Sequence, residues 1–213
     1  MSDRPSTTRR LKPKAFFTKQ FYLWHWVSSA LCLASMLFFA VTGITLNHAA
    51  SIPGKARVDV RTATLPSPLL RTIAFQGGPD TTAPLPPAIS RWLRQNLDVR
   101  THGRPAEWSE FEIYVSLPRP GGDAWLAIDR TTGETTCEIT RRGAVAYLND
   151  LHKGRNTGGA WSWFIDLFSI ACVIFTLTGL GLLWVHARRR PITWPVVAAG
   201  IVIPVALAIF LIH

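Results

Sequence analysis

The sequence predicts a membrane α-helical protein with three transmembrane helices and a small α+β extracytoplasmic domain inserted between the first two. Leu23 to Leu46 carries no charged side chain, and as a helix it reaches about 36 Å, enough to cross a hydrocarbon core of about 30 Å. Trp161 to Val185 is broken only by Asp166, and Ile192 to Ile212 holds two prolines but no charge. Between the first two runs, about one hundred residues mix turn residues with alternating apolar positions, as a small soluble domain does.

In chain order this gives a cytoplasmic basic tail over 1–20, read as disordered at its extreme N-terminus, then a first span over 21–48 and the extracytoplasmic domain over 49–160. A second span over 161–186, a cytoplasmic loop over 187–191 and a third span over 192–212 follow. The first run is too long for the h-region of a cleaved secretory signal, about 7–15 residues, so it reads as an uncleaved anchor. Residues 51–90, rich in Pro, Gly and Thr, read as short strands and loops. Ile89, Trp92, Leu93 and Leu97 fall near helical spacing behind a proline. Glu110 to Leu117 alternates, with Phe111, Ile113 and Val115 on one face, and two further strands follow, joined by a turn at Asp129 to Gly133.

Charge sets the expected orientation. Arg4, Arg9, Arg10, Lys12, Lys14 and Lys19 precede the first span and Arg188, Arg189 and Arg190 follow the second, which places both segments in the cytoplasm. The inserted domain holds fourteen Lys/Arg against eleven Asp/Glu, so most of the formal net charge of +10 belongs to those two segments. The basic character is topological and implies no nucleic-acid partner. Cys32 and Cys172 lie in spans and Cys137 is alone in the domain, so no disulfide is expected there, and no CxxCH motif for covalent haem attachment occurs. No GxGxxG nucleotide fingerprint is present either.

The histidines carry the chemistry. By this topology His25 and His186 fall at the cytoplasmic ends of spans, and His48 and His152 on the outer side. One imidazole at a helix end is ordinarily a polar residue at the interface; four in two level-matched pairs suit the axial ligands of two haem irons. His25 and His48 are 23 residues apart, about 34 Å of rise and about 140° around a straight helix, so one cofactor cannot take both. His48 would then sit on a frayed or bent end, for which Gly43 and Asn47 offer the bend. His152 lies too far from His186 for one span and must reach back from a loop or a preceding short helix. Lys153 and Arg155 beside the outer pair, and Arg188 to Arg190 beside the inner, supply cations for propionates. Trp24, Trp26, Trp161 and Trp163 suit either a porphyrin edge or, more simply, an interfacial belt. Asp166 reads as a proton-coupled group or a ligand orienter, or as a carboxyl reaching the interface. His102 and His213 have no partner in this scheme.

FYLWHWVSSALCLASMLFFAVTGITLNH resembles the first helix of the PepSY-associated transmembrane family, with its WHxW-like start and TG step. LNDLHKGRNTGGAWSWFIDLFSIACVIFTLTGLGLLWVHARRR resembles a later helix of that family, with LHKGR, an early acidic residue, TGL and a terminal histidine. Larger relatives include inner-membrane ferric-siderophore reductases that carry two b-type haems on histidines of these helices. The resemblance implies His25, His48, His152 and His186 as ligands of two haem b groups, and a PepSY-like periplasmic domain. It also implies residence in a bacterial inner membrane. The expected function is electron transfer from a cytoplasmic donor or quinol to a periplasmic ferric chelate or flavin-carrying protein. The other reading is a haem-free regulatory or sensor protein whose domain binds a peptide, peptidase or cell-wall ligand. Catalytic residues and oligomeric state are left open.

Overall fold

The computed structural model describes residues 13–52, 54–101 and 103–212. The basic tail through Lys12, with four of its cations, and both His102 and His213 lie outside the described residues. Three helices are long and apolar enough to cross a membrane: α1 (Pro13–Asn47), α5 (Gly159–His186) and α6 (Thr193–Leu211). Between α1 and α5 the chain forms β1 (Arg57–Thr64), α2 (Ser67–Leu70), β2 (Thr81–Pro84), α3 (Pro87–Asn96), β3 (Pro105–Trp108), β4 (Glu112–Ser116), β5 (Gly122–Asp129), β6 (Glu134–Arg141) and α4 (Ala144–Lys153). The chain divides into two compact units: a helical unit of residues 1–37 and 164–213, and a sheet unit of 38–163.

In the sheet unit, six strands form one antiparallel sheet in the order β1-β6-β5-β4-β3-β2. Alternation buries Ile113 and Val115, then Ala124, Leu126 and Ile128, then Cys137 and Ile139 on one face, where α3 lays Ile89 and Leu93 against them. Phe111 departs from its expected place: it precedes β4 and stays 66% exposed, while Leu117 enters the core. The β5–β6 turn closes through Asp129, whose Oδ1 accepts the Thr131 and Thr132 N–H groups at 2.7 Å, and Gly133 adopts φ +77°. Burial holds the Cys137 thiol above its usual range.

Among the described residues the buried core cluster lies on that one face of the sheet. Strand positions on the opposite face hold Glu107, Glu112, Asp123, Asp129, Glu134 and Glu138, and neither Lys nor Arg among the described strand residues. Tyr114 and Trp125 stack at its centre, ring centroids 6.3 Å apart, and Val58 and Val60 stand exposed on edge strand β1.

In the helical unit α1 and α5 run antiparallel along one seam. Phe21 lies against Gly181, His25 against Thr178 and Gly179, and Cys32 meets Cys172. Glycine at 181 lets the Phe21 ring approach closely: a Cβ there would stand 3.0 Å from it, and the ring would have to give by a few tenths of an ångström.

Candidate functional site

His25 projects from α1 onto the Thr178–Gly179 step of α5. Its ring stacks on Phe175 with centroids 4.6 Å apart, and its Nδ1 lies 3.2 Å from the Phe175 carbonyl and 3.3 Å from Thr178 Oγ1. A carbonyl only accepts, so Nδ1 carries the proton. The Thr178 hydroxyl donates to Ile174 O at 2.7 Å, which leaves its oxygen to accept. The ring edge faces Gly179, where a Cβ would stand 3.2 Å from Cε1.

The sheet unit contains a second seat of the same construction. His152, in the last turn of α4, meets the Thr42–Gly43 step of α1: Nδ1 is 2.7 Å from Thr42 Oγ1, and a Cβ on Gly43 would stand 3.5 Å from Cε1. The Thr42 hydroxyl donates to Phe38 O at 2.8 Å, which leaves its oxygen able to accept from the imidazole. Thr45 on the same face of α1 bonds Asn149, one turn before His152. Gly43 thus gives room to a ring instead of the expected bend, and α1 runs unbroken to Asn47. His152 comes from the short preceding helix, one of the two routes the sequence left open.

His48 and His186 follow a different rule. Each turns Nδ1 back on the carbonyl four residues earlier, His48 on Ile44 at 3.0 Å and His186 on Leu182 at 2.8 Å. His48 is the first residue past α1 and is exposed, as a frayed-end position requires. His186 ends α5 and its Nε2 receives the Tyr22 hydroxyl at 3.2 Å. His25, His48 and His186 each face a carbonyl and so hold the Nδ1–H tautomer with Nε2 as the lone-pair atom, whereas His152 faces a hydroxyl, which can accept from Nδ1 or donate to it.

The structure brings His25 and His186 to one cavity of about 890 Å³, walled by Leu180, Leu183, Val197 and Ile201 with Arg189 and Arg190 at its edge. They are staggered: from Gly179, under His25, to His186 is seven residues, about 10 Å of rise. His48 and His152 engage different partners, the first its own helix and the second Thr42. No group of three or more metal-ligating side chains occurs among the described residues, so what the chain offers is imidazoles singly or in pairs.

Lys153 is exposed. Arg155 bonds Asp150 through Nε at 2.9 Å and Nη2 at 2.7 Å, and Asp150, only 4% exposed, also accepts the Gly121 N–H at 2.8 Å. Asp150 fixes the end of α4 two residues before His152, a role sequence reasoning missed although the five-residue spacing to Arg155 is visible in NDLHKGR. Trp161 anchors the same turn by donating to Leu151 O at 2.9 Å. Trp24, Trp26, Trp163 and Asp166 are exposed on their helices.

Three apolar helices and one antiparallel sheet domain define the class: a multi-pass helical membrane protein with a sheet domain inserted between its first two long helices. The chain belongs to the PepSY_TM-like family, whose model matches residues 16–213. No curated protein and no solved structure matches it.

Proposed function

We propose that the chain is a dihaem b-type electron-transfer protein of a bacterial inner membrane, with its N-terminus in the cytoplasm and the sheet domain in the periplasm. The observation that carries this reading is a common placement: four imidazoles each turn Nδ1 on an oxygen, three of them carbonyls and the fourth the Thr42 hydroxyl, which suits Nε2 as the donor atom an iron takes. Imidazole is the donor chemistry a b-type haem takes, and an apolar cavity with two arginines stands beside His25 and His186. In the helical unit His25 and His186 would hold one haem in the apolar cavity, with Arg189 and Arg190 for its propionates. Ligation by both requires His186 to leave the Tyr22 hydroxyl. In the sheet unit His152 and His48 would hold the other, with Lys153 the cation still unengaged by Asp150. A bound haem supplies one-electron exchange; the chain's own part is to hold the imidazoles, fix their protons and keep the helical cavity apolar.

Electrons would enter from a cytoplasmic partner or quinol and leave to a periplasmic ferric chelate or flavin-carrying protein. A visible spectrum of detergent-purified protein tests the reading: it should show low-spin, non-covalent haem b at about two per chain. Colourless protein after expression with ample haem overturns it.

A second reading, a haem-free regulatory protein, draws on the sheet domain. A cleft of about 760 Å³ lined by Asp80, Glu107, Glu112, Trp108 and Tyr114 opens beside the bare sheet face and suits a peptide or cell-wall ligand. The same spectrum separates the two readings.

A further inference from the structure

We propose that Thr42 is a positioning residue that sets the tautomer of His152, and through it the redox potential of the group His152 would ligate, while Thr178 is its counterpart at His25, where the Phe175 carbonyl holds the same proton. This deepens the haem reading and rests on it for the potential alone; the tautomer half stands without any cofactor.

Both threonines are buried, Thr42 at 2% and Thr178 at 9% exposure, on helices otherwise largely apolar. A threonine inside a helix satisfies its own hydroxyl by donating to the carbonyl one turn back, and both do so. That bond uses the single hydroxyl proton. What each threonine then presents to the seam is an oxygen lone pair, and in both units an imidazole Nδ1 stands in front of it. The glycine that follows each threonine lets the ring edge approach the backbone. Thr–Gly is thus one device used twice: an acceptor that orients the proton beside a gap that admits the ring.

The two copies are not equal. Among the described residues His152 has one acceptor for Nδ1, Thr42, at the short distance of 2.7 Å. His25 divides Nδ1–H between Thr178 at 3.3 Å and the Phe175 carbonyl at 3.2 Å, so it keeps an acceptor when the hydroxyl is removed. Removing Thr42 Oγ1 should free the His152 tautomer, whereas removing Thr178 Oγ1 should leave His25 largely fixed. A hydrogen bond at Nδ1 raises the basicity of the ligating Nε2 and favours the oxidised metal, so its loss raises the potential of that centre.

The test uses the full chain in detergent with ¹⁵N-labelled histidine. In cofactor-free protein, ring ¹⁵N shifts should report Nδ1–H for His25 and His152 in the parent. Thr42→Val should shift His152 toward Nε2–H, Thr178→Val should move His25 much less, and Thr42→Ser, which keeps the hydroxyl, should restore the parent state. In haem-loaded protein Thr42→Val should raise the midpoint potential of one centre and leave the other unmoved. His152 in the Nε2–H form in the parent, or unchanged in Thr42→Val, overturns the proposal. So does a loaded Thr42→Val protein whose two potentials equal the parent's. If Thr42→Val fails to fold, Thr42→Ser and the parent's own ring shifts still decide it. Colourless parent protein with the expected ring shifts would instead refute the haem reading and keep the tautomer assignment.

Discussion

The seat of His25 and the seat of His152 are built from the same dipeptide, yet they are secured differently. His25 rests on a long helix and is held three times, by the Phe175 ring, the Phe175 carbonyl and Thr178. His152 stands at the end of a ten-residue helix, with one short bond to Thr42 and a tilted contact with Phe39. Its position depends on what anchors that helix end: Asp150 binding Gly121 N–H and Arg155, and Trp161 binding Leu151 O. One seat is redundant at the ring. The other is redundant only in its support, and substitutions should expose that difference.

The largest effect is expected from the imidazoles themselves. His25→Ala and His152→Ala should each lower haem content from about two per chain to about one, and the double variant should be colourless, as read by the pyridine haemochrome of purified protein. If either single substitution removes both, the seats are one site and the comparison breaks.

Support comes next. Asp150→Asn leaves the Arg155 guanidinium without its carboxylate and weakens the acceptor for the buried Gly121 N–H. It should destabilise the sheet unit by about 2 kcal/mol in urea denaturation. The spectral component lost with His152→Ala should weaken with it while that lost with His25→Ala persists. Equal weakening of both would mean that anchoring is not local.

Clearance separates the seats more finely. A methyl on Gly179 would press Cε1 of His25 at 3.2 Å, whereas one on Gly43 meets His152 at an ordinary van der Waals distance of 3.5 Å. Gly179→Ala should broaden or shift the spectrum of its own centre, and Gly43→Ala should leave the other near the parent's.

The smallest effect lies in acid. Backbone N–H groups of Thr132 and Thr131 hold the Asp129 carboxyl below its usual value. With the folded value depressed, its contribution is present above the unfolded value of about 4 and is lost as pH falls through the folded one. Asp129→Asn should slightly flatten the acid limb of sheet-unit unfolding and leave the His25 seat untouched; an unchanged limb would show that the turn carries no such linkage.

Much of the architecture was legible because it is written in local patterns. Long apolar runs mark α1, α5 and α6, and alternation marks β4, β5 and β6. Strand β1 was less clear because it is an edge: its apolar Val58 and Val60 face outward while Arg57, Asp59 and Arg61 alternate with them. Arg61 reaches over to Leu97 O at 2.9 Å, a use of a charged side chain no local window suggests. Helix α4 was visible only as one of two ways His152 could reach back. The four histidines could be chosen from sequence, but their seats could not. Thr42 is 110 residues from His152 and Thr178 is 153 from His25, and each Thr–Gly step alone reads as ordinary small residues within a span. Phe111 misled because it shares the parity of Ile113 and Val115, yet it precedes the first residue of β4.

The bare sheet face has a consequence for life at high surface density. Proteins confined to a plane meet one another far more often than in free solution, and an edge strand with exposed valines beside an uncovered sheet invites lateral pairing. Carboxylates at six strand positions, with no cation among them, make two such faces repel at close range. The repulsion acts over about one Debye length, 8 Å at physiological salt, so it spares distant neighbours and opposes only face-to-face contact. Between two copies of an otherwise strongly basic chain, the acidic face is thus the surface least suited to stacking.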